Sequence, residues 1–223
     1  MFAKEPQPGR VKTRLAASIG AEAAADLAWA LLRDTCRLAR AAADATGARL
    51  ELHHAPRQPG PELRELARAF ACELVAQRPG SLGELLAVGL EPDDSGRVAL
   101  GSDAPDLPPA LLEQAFLALE EPGAAVAAPA PDGGYVLLGL GRGVPASALA
   151  DSTIRWSSAT TLDDTRGALL RAGSELTLLE AWSDVDELAD LEALEERLRL
   201  TGESAPATEA WLARWRSRLP ETP

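Results

Sequence analysis

The stretch RVALGSDAPDLPP, residues 97–109, indicates the fold most clearly. Its first four residues, Arg97–Leu100, form a short apolar run that is typical of a strand buried in a sheet, and the run leads directly into a loop that contains Asp103. Pro108 and Pro109 then begin a helix that we expect to reach about residue 120, because proline fits the first turn of a helix, where its missing N–H costs nothing. The stretch therefore predicts a buried strand, a loop with a carboxylate, and a helix.

The same alternation of strands and helices continues on both sides of this stretch. We predict helices over residues 21–45, 61–70, 83–89, 160–172 and 186–200, and strands over residues 48–54, 72–76, 124–128, 135–140 and 175–179. Strands that alternate with helices at this spacing predict an α/β fold with a doubly wound, mostly parallel sheet and helices on both faces. Ligands bind beyond the carboxyl ends of the strands in such a sheet, so functional side chains are expected in the loops that follow the strands.

The length of 223 residues suits one α/β domain with a short extension. We predict a domain over residues 1–200 and a helical extension, residues 201–223, that packs on it. Trp211, Trp215 and Leu219 recur every four residues in the extension, which is typical of a helix docked on a protein body. At the other end, the first strand has little room, so either it is a stub or the protein begins upstream of Met1.

Composition excludes several classes of protein. The formal net charge of −12 disfavours nucleic-acid binding, which needs a basic face. No apolar run approaches the ~18 residues that a membrane span needs, and Pro6 and Pro8 stand where a signal peptide would be apolar, so a cytoplasmic protein is expected. Cys36 and Cys72 have neither CxxC spacing nor a neighbouring histidine, which indicates free thiols in a reducing compartment.

Positive charge is concentrated in the opening segment of this acidic chain. Lys4 and Lys12 are its only lysines, and with Arg10 and Arg14 they place four positive charges within the first fourteen residues. The segment is not a Walker A loop, because Gly9 is the only glycine of the loop and backbone amides alone could not cradle a triphosphate. Lysine and arginine side chains would bind the phosphates instead, so we predict an anion site; a solvated N-terminus is the alternative.

Carboxylates follow two of the predicted strands. Asp103 comes directly after the most buried-looking strand, and a carboxylate there suits a Mg²⁺ or Mn²⁺ ion that bridges diphosphate oxygens. Asp184 and Asp186 lie two residues apart, so in an extended chain their side chains project to the same side. The alternatives are a turn cap for Asp103 and an N-cap of the last long helix for the pair. We assign Asp106 as a cap of the helix that begins near Pro108.

A glycine-rich turn and a tryptophan are the remaining candidates for a binding site. Asp132, Gly133, Gly134 and Tyr135 combine a carboxylate, a flexible turn and an aromatic ring, which suits the wall of a sugar or acceptor site, although an Asp-Gly hairpin turn would have the same sequence. Trp156 could stack on a sugar face or simply be buried. No Ser-His-Asp or Cys-His arrangement is visible, so acid–base chemistry falls to carboxylates, and we assign catalytic roles to Asp103 and Asp132.

Five motifs, in order, resemble a known family: FAKEPQPGRVKTRL, GSDAPDLP, PAPDGGYVLLGL, RWSS and DVDELADL. They are similar to bacterial glycosyltransferases described as radical-SAM/selenodomain-associated or arsenosugar-biosynthesis transferases, a GT-A-fold group of the nucleotide-diphospho-sugar transferase superfamily. The resemblance covers about residues 2–198. The KTRL and DVD segments also resemble 2-phospholactate-type guanylyltransferases, and the layout is similar to molybdenum-cofactor nucleotidyltransferases.

The resemblance implies a metal-dependent glycosyltransferase that moves a sugar from a nucleotide-diphospho-sugar to a small acceptor. It implies that Lys12 and Arg14 meet the donor phosphates and that Asp103, Asp184 and Asp186 hold Mg²⁺ or Mn²⁺. The alternatives are a nucleotidyltransferase that uses an NTP and releases pyrophosphate, and a nucleotide-sensing domain without turnover. The chain departs from the family at Gly80-Ser81-Leu82-Gly83, where Gly-Asp-Leu-Gly is usual, so an acidic contact is missing there. Lys4, Gly9, Gly133, Gly134, Tyr135 and Trp156 complete the predicted donor-binding set.

Overall fold

The computed structural model describes residues 1–91 and 95–216. Its seven strands in this part of the chain are β1 (Phe2–Lys4), β2 (Glu51–Ala55), β3 (Glu73–Ala76), β4 (Arg97–Leu100), β5 (Ala125–Pro129), β6 (Tyr135–Leu140) and β7 (Leu176–Leu178). The α-helices are α1 (Thr13–Ile19), α2 (Ala21–Thr46), α3 (Pro61–Ala69), α4 (Leu82–Gly89), α5 (Pro109–Ala118), α6 (Thr161–Arg171), α7 (Leu188–Thr201) and α8 (Pro206–Arg216), with a short 3-10 helix over Ala146–Ala150.

The strands form two hydrogen-bonded groups. β1, β2 and β3 pair in that order and all run parallel, with Phe2 opposite His53. β4, β6, β5 and β7 pair in that order; β6 is antiparallel to both of its neighbours, and β5 and β7 are parallel. Since β6 alone is reversed in its group, the carboxyl ends of β4, β5 and β7 lie at one edge. The predicted α/β fold class is confirmed, and β6 is the one described strand that runs antiparallel to its hydrogen-bonded neighbours.

Helices cover both faces of the sheet, as successive side chains of β5 demonstrate. Val126 and Ala128 pack into a core with side chains from α2, α3 and α5, whereas Ala125 and Ala127 pack into a second core with α4, α6 and the 3-10 helix. Each of these four strand residues is fully buried. The β5 strand therefore has no solvent-facing side, which explains why its sequence is continuously apolar rather than alternating.

A third core joins the helices at the two ends of the chain. It includes Leu15 of α1, Leu27 and Leu31 of α2, Leu194 of α7 and Trp211 of α8. Trp211 is buried and stacks on Trp215 with ring centroids 5.5 Å apart, so the predicted docked helix is present over Pro206–Arg216. The third residue predicted for this stripe, Leu219, lies outside the described residues.

The helix α8 is also held by polar contacts at its amino end. The buried carboxylate of Asp34, in α2, accepts hydrogen bonds from the backbone N–H groups of Ala207 at 3.2 Å and Thr208 at 2.8 Å. These N–H groups belong to the first turn of a helix and have no partner within it, so Asp34 satisfies two donors that burial would otherwise leave unpaired.

Two further findings concern features that the sequence raised. Cys36 and Cys72 are free and lie next to each other, and the contact with Cys72, together with burial, raises the pKa of the Cys36 thiol. None of the helices within residues 1–91 and 95–216 combines the length and apolar character that crossing a membrane requires.

Candidate functional site

Three carboxylates meet at the carboxyl edge of the sheet. Asp103 follows β4, and Asp184 and Asp186 follow β7. The backbone N–H of Val185 donates a hydrogen bond of 3.1 Å to the carbonyl of Asp103, and the Val185 side chain is fully buried in the core beneath. Since neighbouring residues of an extended chain point to opposite sides, Asp184 and Asp186 both face Asp103. One oxygen from each of the three lies within 4.8 Å of the others, an arrangement that could hold a metal ion.

The carboxylates of this acidic triad, Asp103, Asp184 and Asp186, do not cap the helix that follows. The N-cap of α7 is Glu187, and Asp190 accepts hydrogen bonds from the backbone N–H groups of Asp186 and Glu187 at 3.0 and 2.8 Å. The capping alternative for Asp184 and Asp186 is therefore wrong, and both side chains are left to the site.

The Lys12 ammonium lies between two members of the acidic triad. Its Nζ is 2.7 Å from Asp103 and 2.8 Å from Asp186, and its side chain is only 10% exposed. Burial alone would lower the Lys12 pKa, but the Asp103 and Asp186 carboxylates outweigh burial and raise that pKa above its usual value. Lys12 also has a left-handed backbone, with φ of 46°, at the residue before α1. A non-glycine residue in this region is strained, so the surrounding contacts hold it there.

Asp184 differs from the other two carboxylates because it makes no hydrogen bond or ion pair with the residues that the structure describes. Burial, and then the nearby charges of Asp103 and Asp186, raise its pKa from 3.8 to about 6. The triad thus carries more negative charge than Lys12 neutralises. Oxygen ligands with excess negative charge are what a hard divalent cation prefers, so the residues fit Mg²⁺ or Mn²⁺.

A cavity of about 620 Å³ lies on one side of the triad. Lys4, Arg10 and Lys12 contribute its positive charges, and Ser102 and Gln77 line it as well. Its remaining walls come mainly from β1 and the segment that follows it, from α2 and from α4. Its volume is that of a small-molecule ligand site. We refer to it as the large cavity.

Two residues of the predicted phosphate site lie elsewhere. Gly9 is in an exposed turn with φ of 73°, and its position has open space around it. Arg14 is 71% exposed, and its nearest acidic partner is Glu187 at 3.7 Å. Neither residue lines the large cavity, and their predicted contact with the donor stays a prediction.

A second, smaller cavity of about 140 Å³ lies on the other side of the triad. It is lined by Asp132, Gly134, Tyr135, Trp156 and Asp184, so four of the residues predicted for the sugar or acceptor side are together here. Leu82 and Ser157 line both cavities and stand at their junction. We refer to this space as the small cavity.

The turn that carries Asp132 is both a hairpin turn and a cavity wall. Asp132 accepts a hydrogen bond of 2.8 Å from the N–H of Gly134, and Ala130 donates one of 3.0 Å to the Gly134 carbonyl. Gly133 has φ of 88° and packs so tightly that a Cβ on it would lie 2.1 Å from the carbonyl oxygen of Ala159. The motif can therefore be both a hairpin turn and the wall of a ligand site. Gly133 allows the turn to pack against the start of α6.

The two aromatic residues of the small cavity, Tyr135 and Trp156, pack against neighbouring helices on the side away from the cavity. A Cβ on Gly83 would lie 2.8 Å from the Trp156 Nε1 atom, so the absence of a side chain there lets the indole ring pack on α4. The Tyr135 hydroxyl is buried beside Thr165, and this burial raises the Tyr135 pKa. Only the ring of Tyr135 can therefore face a ligand.

Ser81, where the resemblance implies that an acidic contact is missing, caps α4. Its hydroxyl accepts a hydrogen bond from the Glu84 N–H, and the Glu84 carboxylate accepts one from the Ser81 N–H, which forms a capping box. Serine is a favoured N-cap residue, so the start of α4 needs no acidic residue at this position.

The assignment of Asp106 as a helix cap is wrong. Pro108 is the N-cap of α5 and no side chain caps it. The buried Asp106 carboxylate instead accepts hydrogen bonds from Arg197 at 2.7 Å and from the Trp182 indole at 3.1 Å. Asp106 therefore ties the loop after β4 to α7, a partnership over 91 residues that local sequence could not indicate.

Sequence reasoning missed two residues that line the large cavity. Gln77 follows β3 directly, so its position at the carboxyl end of a strand was the signal that predicts it. Ser157, at the junction of the cavities, has a left-handed φ of 56°, and no sequence signal predicts that conformation for serine.

Comparison with known proteins agrees with this α/β fold. The chain belongs to the family described as "Uncharacterized protein conserved in bacteria (DUF2064)", which it matches over residues 38–158. It is similar to the crystal structure of a "putative nucleotide-diphospho-sugar transferase" from Desulfovibrio desulfuricans G20, with a TM-score of 0.80 and 28% identity. That similarity covers 97% of this chain and 93% of the other. No curated protein matches.

Proposed function

We propose that the protein is a metal-dependent glycosyltransferase that moves a sugar from a nucleotide-diphospho-sugar to a small-molecule acceptor. The observation that carries the proposal is the position of the acidic triad and Lys12 at the junction of two cavities of unequal size. A donor needs room for a nucleotide and charge for its diphosphate, which the large cavity offers. The acceptor would meet the sugar in the small cavity.

Each group has a chemical role in this proposal. Lys4, Arg10 and Lys12 would neutralise the diphosphate of the donor, since ammonium and guanidinium groups are strong phosphate ligands. The acidic triad would hold Mg²⁺ or Mn²⁺, which in this class of reaction stabilises the charge of the leaving diphosphate. Asp132, in the wall of the small cavity, would accept the proton of the acceptor hydroxyl.

The similar crystal structure supports the transferase class, and the order of the sequence motifs favours a narrower assignment. FAKEPQPGRVKTRL and the other four motifs are similar to the radical-SAM/selenodomain-associated, arsenosugar-biosynthesis-type transferases, so we propose that the chain is related to that bacterial group. The cytoplasmic location that we propose rests on the composition of the chain.

Nucleotidyl transfer is the second candidate, and the charge of the large cavity favours it. Three basic side chains, Lys4, Arg10 and Lys12, face one cavity, which would suit the larger charge of a triphosphate. In that reaction pyrophosphate leaves, and the acceptor is a phosphorylated small molecule or cofactor. The two functions therefore differ in their donor and in the group that is released.

Thermal unfolding with and without ligands distinguishes the two candidates. With Mg²⁺ or Mn²⁺ present, nucleoside triphosphates are compared with UDP- and GDP-sugars, and a ligand at ~100 times its Kd adds about 2.7 kcal/mol of stability. Stabilisation by a nucleotide-sugar supports glycosyl transfer, whereas stabilisation by triphosphates alone supports the second candidate.

Two variants test the assigned roles. We expect Lys12→Ala to abolish donor binding and Asp103→Ala to abolish metal-dependent turnover, because each removes a charge from the junction. Arg68→Ala, which removes an exposed positive charge in the last turn of α3, is the control for general charge effects. Unchanged nucleotide-sugar affinity in Lys12→Ala, or unchanged turnover in Asp103→Ala, would contradict the proposal.

A further inference from the structure

The Lys12 ammonium and a divalent cation would compete for the same oxygens. Lys12 Nζ is 2.7 Å from Asp103 Oδ2 and 2.8 Å from Asp186 Oδ1. A Mg²⁺ or Mn²⁺ ion needs its oxygen ligands at roughly 2.0–2.2 Å, so an ion bound to both carboxylates would stand almost where the ammonium now lies. Two positive groups at that separation repel strongly, and the lysine must move before the ion can use these ligands.

Removing Lys12 from the two carboxylates is costly unless another anion receives it. The lysine side chain is only 10% exposed, and a buried ammonium that loses its partners also loses much of their compensation for desolvation. While Lys12 stays in place, Asp184 is the only triad member that makes no ion pair with the described residues. An incoming cation would then find one carboxylate rather than three.

A diphosphate bound in the large cavity would be the anion that receives Lys12. Lys12 lines it together with Lys4 and Arg10, so a diphosphate in the cavity would lie within reach of the lysine that leaves the triad. Cation and diphosphate together permit an exchange in which the cation takes the carboxylates and the diphosphate takes the ammonium. Charge stays balanced on both sides of this exchange, which is not so when either ligand enters alone.

We propose that Lys12 occupies the cation position in the ligand-free protein, and that the protein binds the divalent cation and the nucleoside diphosphate as a pair. This inference rests on the proposed function and deepens it, because it specifies the substrate form as the cation–diphosphate complex. By linkage, each ligand then strengthens the binding of the other by the same factor.

Selective labelling of lysine tests the proposal in the wild-type protein. Because Lys4 and Lys12 are the only lysines, ¹³C-labelled lysine gives NMR signals from these two side chains alone. We expect Mg²⁺ alone to leave the Lys12 signal in place, and Mg²⁺ with uridine diphosphate to shift it. The proposal is overturned if Mg²⁺ alone shifts the Lys12 signal at the same Mg²⁺ concentration that shifts it in the presence of uridine diphosphate.

Mn²⁺ binding, followed by the electron paramagnetic resonance of the free ion, is the second measurement. Without nucleotide, Lys12→Met is expected to bind Mn²⁺ about tenfold more tightly than the wild type, and Lys12→Arg to bind as weakly as the wild type. Lys4→Met removes the same charge from the same cavity without touching the triad and should match the wild type. Equal affinity of the wild type and Lys12→Met contradicts the inference.

The outcomes separate this inference from the proposed function. If neither the wild type nor Lys12→Met binds Mn²⁺, with or without uridine diphosphate, the metal-dependent function itself fails. If both bind it equally well without nucleotide, the function stands and the exchange of Lys12 for the cation is wrong. The NMR measurement needs no variant, so it decides the case even where a substitution at Lys12 prevents folding.

Discussion

The three carboxylates of the triad have different surroundings although they lie within one site. Asp103 and Asp186 bind Lys12, whereas Asp184 has no such partner among the described residues, and its pKa rises to about 6. A carboxylic acid in an unfolded chain has the lower value of 3.8, so folding changes the proton affinity of Asp184. This difference makes the stability of the metal-free protein depend on pH.

Asp184→Asn is expected to stabilise the metal-free protein at neutral pH. Because the folded pKa lies above the unfolded one, the folded state binds protons more readily between pH 3.8 and about 6, so wild-type stability falls as pH rises through this window. Asparagine has no charge to bury, and since Asp184 is partly exposed we expect a gain of about 1–2 kcal/mol at pH 7.5 and roughly half of that at pH 5.

Urea unfolding in the presence of a chelator at both pH values measures this gain. Asp163→Asn, at an exposed position in the first turn of α6, is the control and should show little change. A gain for Asp184→Asn that increases as pH falls would contradict the assigned direction of the pKa shift.

At the scale of elements, the loop between β4 and α5 is fixed from two sides. Asp103 binds Lys12 and accepts the Val185 N–H, while Asp106 binds Arg197 of α7. The guanidinium of Arg197 also lies over the Trp182 ring at 5.5 Å. Contacts with the opening segment, with the segment after β7 and with α7 thus fix the loop that carries Asp103.

Arg197→Ala is expected to destabilise the protein by about 3 kcal/mol, because it leaves the buried Asp106 carboxylate without its cation. Arg199→Ala is a matched control on the same helix: Arg199 and its partner Glu196 are 71% and 51% exposed. Such surface pairs contribute about 0.5 kcal/mol or less. Chemical denaturation of both variants measures the difference, and equal losses would disprove the structural role of Asp106.

Gly133→Ala is expected to disturb the joint between the β5–β6 turn and α6. Gly133 and Gly143 have similar left-handed conformations, with φ of 88° and 86°, but a Cβ would collide with the Ala159 backbone only at Gly133. Gly143→Ala should therefore cost about 1 kcal/mol through its backbone conformation alone, and Gly133→Ala clearly more. Thermal unfolding of the two variants compares these costs; similar losses would show that the close packing is not important.

At the scale of the whole molecule, α8 joins the end of the described chain to its longest helix. We propose that residues 201–223 are an extension of the domain formed by residues 1–200. Asp34 receives the first N–H groups of α8, and Trp211 packs into the core shared with α1, α2 and α7.

Asp34→Ala is expected to release α8, because two buried N–H groups lose their acceptors. Limited proteolysis should then cleave residues 202–205 faster than in the wild type. Asp44→Ala is the control, since Asp44 lies on the same helix, is 71% exposed and pairs only with Arg40 among the described residues. An unchanged cleavage rate in Asp34→Ala would mean that apolar packing alone holds the helix.

Much of the fold could be predicted from local sequence patterns. Arg97–Leu100 and Tyr135–Leu140 have the predicted bounds, because apolar runs followed by turn residues leave little choice. The helix α1 was missed, since its seven residues directly follow a segment interpreted as a phosphate loop and it has no capping side chain. The reversed direction of β6 was indicated only by the alternative of an Asp-Gly hairpin turn at Asp132 and Gly133, because strand direction depends on pairing that a single strand does not encode.

The site was predicted less completely, for a related reason. The alternating positions of Asp184 and Asp186 predicted both carboxylates on one side, and the resemblance implied that they join Asp103, with which they form the triad. The ion pairs of Lys12 with this triad, and the partnership of Asp106 with Arg197, join distant parts of the chain. Such contacts follow from tertiary packing, and spacing along the sequence carries no information about them.

The hydrogen bond between Lys12 and Asp186 joins residues 174 positions apart, and this separation affects when the site can form during synthesis and folding. A chain that is being synthesised cannot assemble the junction until Asp186 has been added, when nearly all of the sheet is already made. Contacts between distant residues also form late and slowly in folding, because a long loop must close first. A newly made molecule therefore acquires its ligand site late, after all seven strands that the structure describes have been synthesised.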